Sequence, residues 1–126
     1  MAPAFDDLAL LSPECEEFGD DQVFARHFSK TAAEYTEVEA EMADDAVIKL
    51  LNPTRFIRDE HAVKAPHWRI RHGAYDRDTA LAIPVILQTM LKNTGYDVDF
   101  FLPWGLPHSG DYDIDELFAW IDRLAK

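Results

Sequence analysis

The sequence predicts an α/β chain: two parallel strands with flanking helices, in a sheet that is completed elsewhere. Three observations predict it. Two short stretches, W-R-I-R (68–71) and V-D-F-F-L-P (98–103), have the β-branched and aromatic content of strands. Between them lies a helix-length segment whose apolar positions Ile83, Leu87, Met90 and Leu91 share one face. Each strand runs into a loop, giving the order strand, loop, helix, strand, loop. Parallel strands need such a crossover, and they are stable when both faces are covered. Two strands and a few helices leave that cover incomplete.

Residues 1–21 mix Pro, Asp and Glu without a sustained period and read as loop, with one apolar patch from Leu8 to Leu11. S-P-E-C-E-E-F-G (12–19) reads as a turn, opened by Ser-Pro and closed by Gly19. From Asp21 to about Val38 the residues Phe24, Phe28, Thr31 and Tyr35 recur at helical spacing and predict a helix. The acids of 37–45 form a solvated run. Asp44 can cap a short helix around Val47, Ile48, Leu50 and Leu51, which Asn52-Pro53 ends because a residue before proline avoids the α region. Thr54 to Lys64 reads as polar connection.

At Pro66 the pattern changes to strand, with Gly73 as a sharp exit. Asp78 or Thr79 can open the next helix. Pro84 is awkward inside it, so regular structure is expected to begin close to that residue. Asn93 and Gly95 end it. After the second strand, Asp113 and Glu116 have the spacing of a capping box. Ile114, Leu117, Phe118, Ile121 and Leu124 then make the cleanest amphipathic stripe in the chain. The chain therefore divides into a helical and loop segment (1–66) and an α/β portion (67–126).

Composition narrows the function classes. The 126 residues suffice for one ordinary domain. Apolar residues make up 48% and aromatic ones 12%, which are values for a chain that folds. A net charge of −12 repels phosphate backbones and anionic lipid, so no nucleic-acid or membrane partner is expected. The start M-A-P-A-F-D-D-L lacks a basic stretch followed by an apolar core, so no signal peptide is read and a cytoplasmic location is expected. The single cysteine, Cys15, offers neither an internal disulfide nor a metal cluster.

Two loop residues carry possible chemistry. Asp76 lies three residues beyond Gly73 and His108 five beyond Pro103. Adjacent strands are ~5 Å apart, so both side chains can meet beyond the strand ends. There an imidazole can take a proton while a carboxylate fixes its tautomer. An Asp followed by a His is also the tail of the Ser…Asp…His order of α/β-hydrolases. The competing reading is a loop-capping Asp and a surface His, and the residues alone leave both open. Glu14, judged by itself, is a solvated loop acid.

The stretch 67–126 resembles the C-terminal part of bacterial tannases and related feruloyl-esterase-like α/β-hydrolases. The resemblance is carried by H-W-R-I-R-H-G-A-Y-D-R-D-T (67–79), A-I-P-V-I-L (82–87), P-W-G-L-P-H-S-G-D-Y-D (103–113) and E-L-F-A-W-I (116–121). S-P-E-x-E-x-F-G (12–19) is similar too, with Cys15 standing where the family commonly has a polar residue. This resemblance implies a C-terminal fragment of an α/β-hydrolase fold, with Asp76 as triad acid, His108 as triad base, and 1–66 on the lid or substrate side. It implies that Glu14 and Asp78 accept hydrogen bonds from the phenolic hydroxyls of a galloyl-type ring. It also implies a serine carboxylic-ester hydrolase that acts on galloyl or feruloyl esters without cofactor or metal.

The nucleophile is missing from the pattern. No G-x-S-x-G occurs, and Ser12, Ser29 and Ser109 are the only serines. A complementary N-terminal segment or chain is therefore expected to bring the serine. The alternative is a non-catalytic, truncated hydrolase-like module that binds or interacts without turnover.

Overall fold

The computed structural model describes residues 6–125. The loop expected over residues 1–5 lies outside that range. Strands β1 (His67–Arg71) and β2 (Asp97–Phe101) pair in parallel, with Trp68 opposite Val98 and Ile70 opposite Phe100. Helix α4 (Ala82–Asn93) crosses between them and packs on both. Trp68 of β1 and Leu87 of α4 line one cavity, which puts the helix on the Trp68 face of the sheet.

The opposite face is ionic. Arg69 and Arg71 alternate with Trp68 and Ile70, as a strand requires. Their side chains are largely buried, so their charges need partners. Arg71 grips Asp99 through both guanidinium ends, Nη1–Oδ1 at 3.1 Å and Nη2–Oδ2 at 2.9 Å. Its Nε donates to Asp113 at 2.9 Å, and Arg69 donates to the same carboxylate. The Arg71 bond and the nearby guanidinium charges outweigh burial and hold the Asp99 carboxyl below its ordinary range.

Three sequence-based expectations are corrected here. The helix expected over 21–38 is confined to α2 (Lys30–Glu34). Upstream, the Asp20 carboxylate takes the N–H groups of Gln22 and Val23 at 2.9 and 2.7 Å, and Asp6 takes those of Phe28 and Ser29. His27 pairs its backbone with Glu41 and Ala43 instead. Those groups are spent on non-helical bonds, so the helix starts only where the Ser29 hydroxyl accepts the Ala32 N–H at 3.3 Å. The turn at 12–19 contains a single helical turn, α1 (Pro13–Glu16), with Pro13 in its first position.

The third correction concerns helix starts. Asp78 and Thr79 do not open α4, because the Asp76 carboxylate accepts both their N–H groups, at 2.8 and 3.0 Å. Helix α4 begins two residues before Pro84, as proline geometry demands. Helix α5 (Ile114–Leu124) follows Asp113, but no side chain caps it: the Asp113 carboxylate is committed to the two arginines. Helix α3 (Asp45–Leu51) ends at Asn52 as expected, and a 3-10 turn at Pro53–Arg55 interrupts the polar connection.

Few large residues are fully enclosed. Leu91 on α4 and Ile57 are the largest buried apolar side chains among the described residues. Phe101, Ile114, Phe118 and Ile121 are exposed, and α5 meets β1 through the Arg69–Glu116 ion pair at 4.0 Å.

Candidate active site

Both loops that follow the strands are laced together by backbone bonds. Ala74 N donates to Pro103 O and Tyr75 N to Leu106 O, each at 2.9 Å. Gly73 sits where the loops cross. A Cβ there would lie 2.3 Å from the Pro107 carbonyl oxygen and 2.4 Å from that of Leu106, so only glycine permits the approach.

This lacing brings Asp76 and His108 together. His108 Nδ1 lies 3.0 Å from Asp76 Oδ2 across 32 residues of chain. The Asp76 side chain is buried, whereas the His108 ring is 55% exposed. Burial pushes the Asp76 carboxyl up, but the N–H groups of Thr79 and Asp78 and the His108 ring together hold it below its ordinary value. An ionised carboxylate can only accept, so Nδ1 carries the hydrogen and Nε2 is the nitrogen left to take a proton. A second imidazole, His72, is buried 3.5 Å from the same Asp76 oxygen.

Asp78 joins the pair: donor atoms of Asp76, Asp78 and His108 all lie within 4.8 Å of one another. Three such groups could in principle take a cation. The Nδ1–Oδ2 bond and the two backbone N–H groups on Oδ1 tie Asp76 to His108 and to the backbone of Asp78 and Thr79.

Glu14 is not one of those three groups. It lines a cavity of about 450 Å³ with Phe18, Phe28, Arg55, Ile83 and Ile86, and both its carboxylate oxygens are buried without a hydrogen-bond partner. Its exposure is intermediate, which overturns the solvated-loop reading. Cys15, its neighbour, is fully buried and accepts the Ser12 hydroxyl at 3.2 Å.

The serines are engaged elsewhere. Ser12 bonds to Cys15, Ser29 caps α2, and the Ser109 hydroxyl pairs with Asp111 at 2.5 Å. Sequence reasoning passed over His72, Tyr112 and the two arginines. The signal for the arginines was present, since cations alternating with apolar residues in a half-buried strand require acidic partners.

Fold and site define an α/β chain with a carboxylate–imidazole pair at consecutive strand ends. Solved structures extend that description. The chain is similar to tannin acyl hydrolase from Lactobacillus plantarum, with 51% identity and a TM-score of 0.84 over 98% of this chain. A structure of tannin acyl hydrolase with ethyl gallate matches over the same share, with 51% identity and a TM-score of 0.82. Fusobacterium nucleatum tannase is 45% identical, with a TM-score of 0.77. The chain spans about a quarter of these proteins, 27% of each. No protein-family model and no curated protein matches it. In sequence and fold the chain thus resembles a segment of bacterial tannases.

Proposed function

We propose that this chain is the C-terminal portion of a serine carboxylic-ester hydrolase acting on galloyl or similar phenolic esters. The observation that supports the reading most is the bond from His108 to a buried, ionised Asp76, in a chain half identical to tannin acyl hydrolase. In this reading a serine outside the chain attacks the ester carbonyl. His108 Nε2 accepts its proton and returns it to the leaving alcohol, and water then releases the acid by the same route. Asp76 keeps the imidazole in the required tautomer and steadies its charged form. Asp78 and Glu14 would accept hydrogen bonds from the ring hydroxyls, and a charged acceptor roughly doubles such a bond. A complementary N-terminal segment would complete the sheet and bring the nucleophile.

The test joins this chain to the part of Lactobacillus plantarum tannin acyl hydrolase that lies outside the matched quarter. The joined enzyme is expected to hydrolyse methyl gallate, and the 126-residue chain alone to show none above background. His108→Ala and Asp76→Asn should each lower kcat by on the order of 10³–10⁴-fold. Full activity in H108A, or robust hydrolysis by the isolated chain, would sink the reading.

A further inference from the structure

We infer that Tyr112 is a positioning residue for the Asp76–His108 pair, its hydroxyl joining the two loops that carry them. The inference rests on the esterase reading above. The Tyr112 oxygen accepts the Gly73 N–H at 3.0 Å and the Ser109 N–H at 2.9 Å, and donates to the Pro107 carbonyl at 2.6 Å. A phenol has one hydrogen to give and two lone pairs to receive, so its capacity is fully used.

The three partners are placed where they matter. Pro107 and Ser109 flank His108 on either side. Gly73 donates its N–H to Tyr112 while its carbonyl accepts the Asp76 N–H at 3.0 Å. One oxygen atom therefore fixes the backbone around the imidazole and the peptide that supports the carboxylate. The His108 ring is more than half exposed, so its own packing cannot set its position. Backbone anchoring has to do so, and Tyr112 supplies it on both sides. The close passage of the loops at Gly73, where a Cβ would meet the Pro107 and Leu106 carbonyls first, brings its N–H within reach of the Tyr112 oxygen. Asp113, the next residue, is gripped by Arg69 and Arg71, so β1 holds the base of the tyrosine.

The experiment compares Tyr112→Phe with H108A in the joined enzyme. Tyr112→Phe keeps the ring and removes only the joint. It should lower kcat on methyl gallate roughly 10–100-fold while KM moves less than about threefold, because sub-ångström misplacement of a catalytic group mainly costs the chemical step. The hydrogen-bonded His108 Nδ1 proton, identified in the NMR spectrum by its loss in H108A, should broaden or shift towards free imidazole. Wild-type kcat with an unmoved Nδ1 proton in Y112F overturns the inference. If H108A itself keeps full activity, the esterase reading falls instead. The Nδ1 proton then decides alone: unmoved in Y112F, it removes Tyr112 from the positioning role.

Discussion

Asp6 and Asp76 are held ionised in similar ways, 70 residues apart in the chain. Asp6 accepts the His27 ring at 2.8 Å and the backbone N–H groups of Phe28 and Ser29, with His27 buried behind it. Burial pushes its carboxyl up, but His27, Ser29 and Phe28 outweigh that and leave it below the ordinary value of 3.8. A depressed folded value means stability that is present above about pH 4 and is lost as the pH falls through the folded value. Asp6→Asn should therefore cost roughly 1.5–3 kcal/mol near neutrality, the worth of a charge-assisted hydrogen bond. The gap to the parent protein should close in acid, and denaturant midpoints measured from pH 7 to pH 2 check this; a gap that ignores pH would mean that the Asp6 charge is not involved. At the proposed active site, Asp78→Ala should lower kcat/KM on gallate esters about 10–100-fold and leave plain benzoate esters nearly unchanged, because only the former lose a charged acceptor. Equal losses on both would make Asp78 structural. That Asp76 and His108 can meet was legible in the sequence, because strand ends place loop residues together, while spacing alone left a loop-capping Asp and a surface His equally open. Tyr112 was not legible, since its role is set by one oxygen meeting three backbone groups far apart in sequence.

At the scale of elements, periodicity located β1, β2, α4 and α5, and misled where side chains compete for the backbone. Over 21–38 the aromatic spacing is helical, yet Asp6 and Asp20 withdraw the N–H groups that a helix needs. Asp113 at the start of α5 failed as a cap for a related reason: a carboxylate between two buried guanidinium groups is worth more there than on a helix terminus. The end of α4 is the clearest success. Gly95 has φ of +95°, its N–H donates to Lys92 O, and Tyr96 N donates to Leu91 O, the paired bonds of a Schellman ending. A Cβ on Gly95 would touch nothing within 4 Å, so Gly95→Ala isolates the backbone cost. It should destabilise by about 1–2 kcal/mol, read as a lower denaturant midpoint at unchanged slope; no change would mean that the turn relaxes freely. Leu91→Ala, at the buried centre of the same helix, should cost about 2–5 kcal/mol through lost burial and a cavity.

The whole molecule exposes 8937 Å². A compact monomer of 14.4 kDa would expose about 6,800 Å². The excess, on the order of 2,000 Å², is the size of a substantial protein interface. Part of its apolar share lies on Ile114, Phe118 and Ile121 of α5 and Phe101 of β2, all more than two-fifths exposed, beside scattered residues such as Leu11, Phe24, Leu50 and Trp104 that are more exposed still. The arginines of β1 are paired internally with Asp99 and Asp113, although the buried Arg69 Nε is left without a hydrogen-bond partner. The stripe on α5 needs a further partner. The sequence made this stripe legible but could not say what it meets, because amphipathicity specifies a buried face and not the surface that buries it. Patches beyond a few hundred Å² rarely stay bare in water. The isolated chain should therefore self-associate at micromolar concentration in sedimentation and bind an apolar dye. Phe118→Glu should reduce both, by placing a charge in the centre of the stripe. In the joined enzyme the same substitution should instead destabilise the fold by several kcal/mol, since the charge would then be buried without a partner. A dilute monomer that binds no dye, with Phe118→Glu silent in both settings, would mean that α5 is solvated by design and that the serine-bearing segment docks elsewhere.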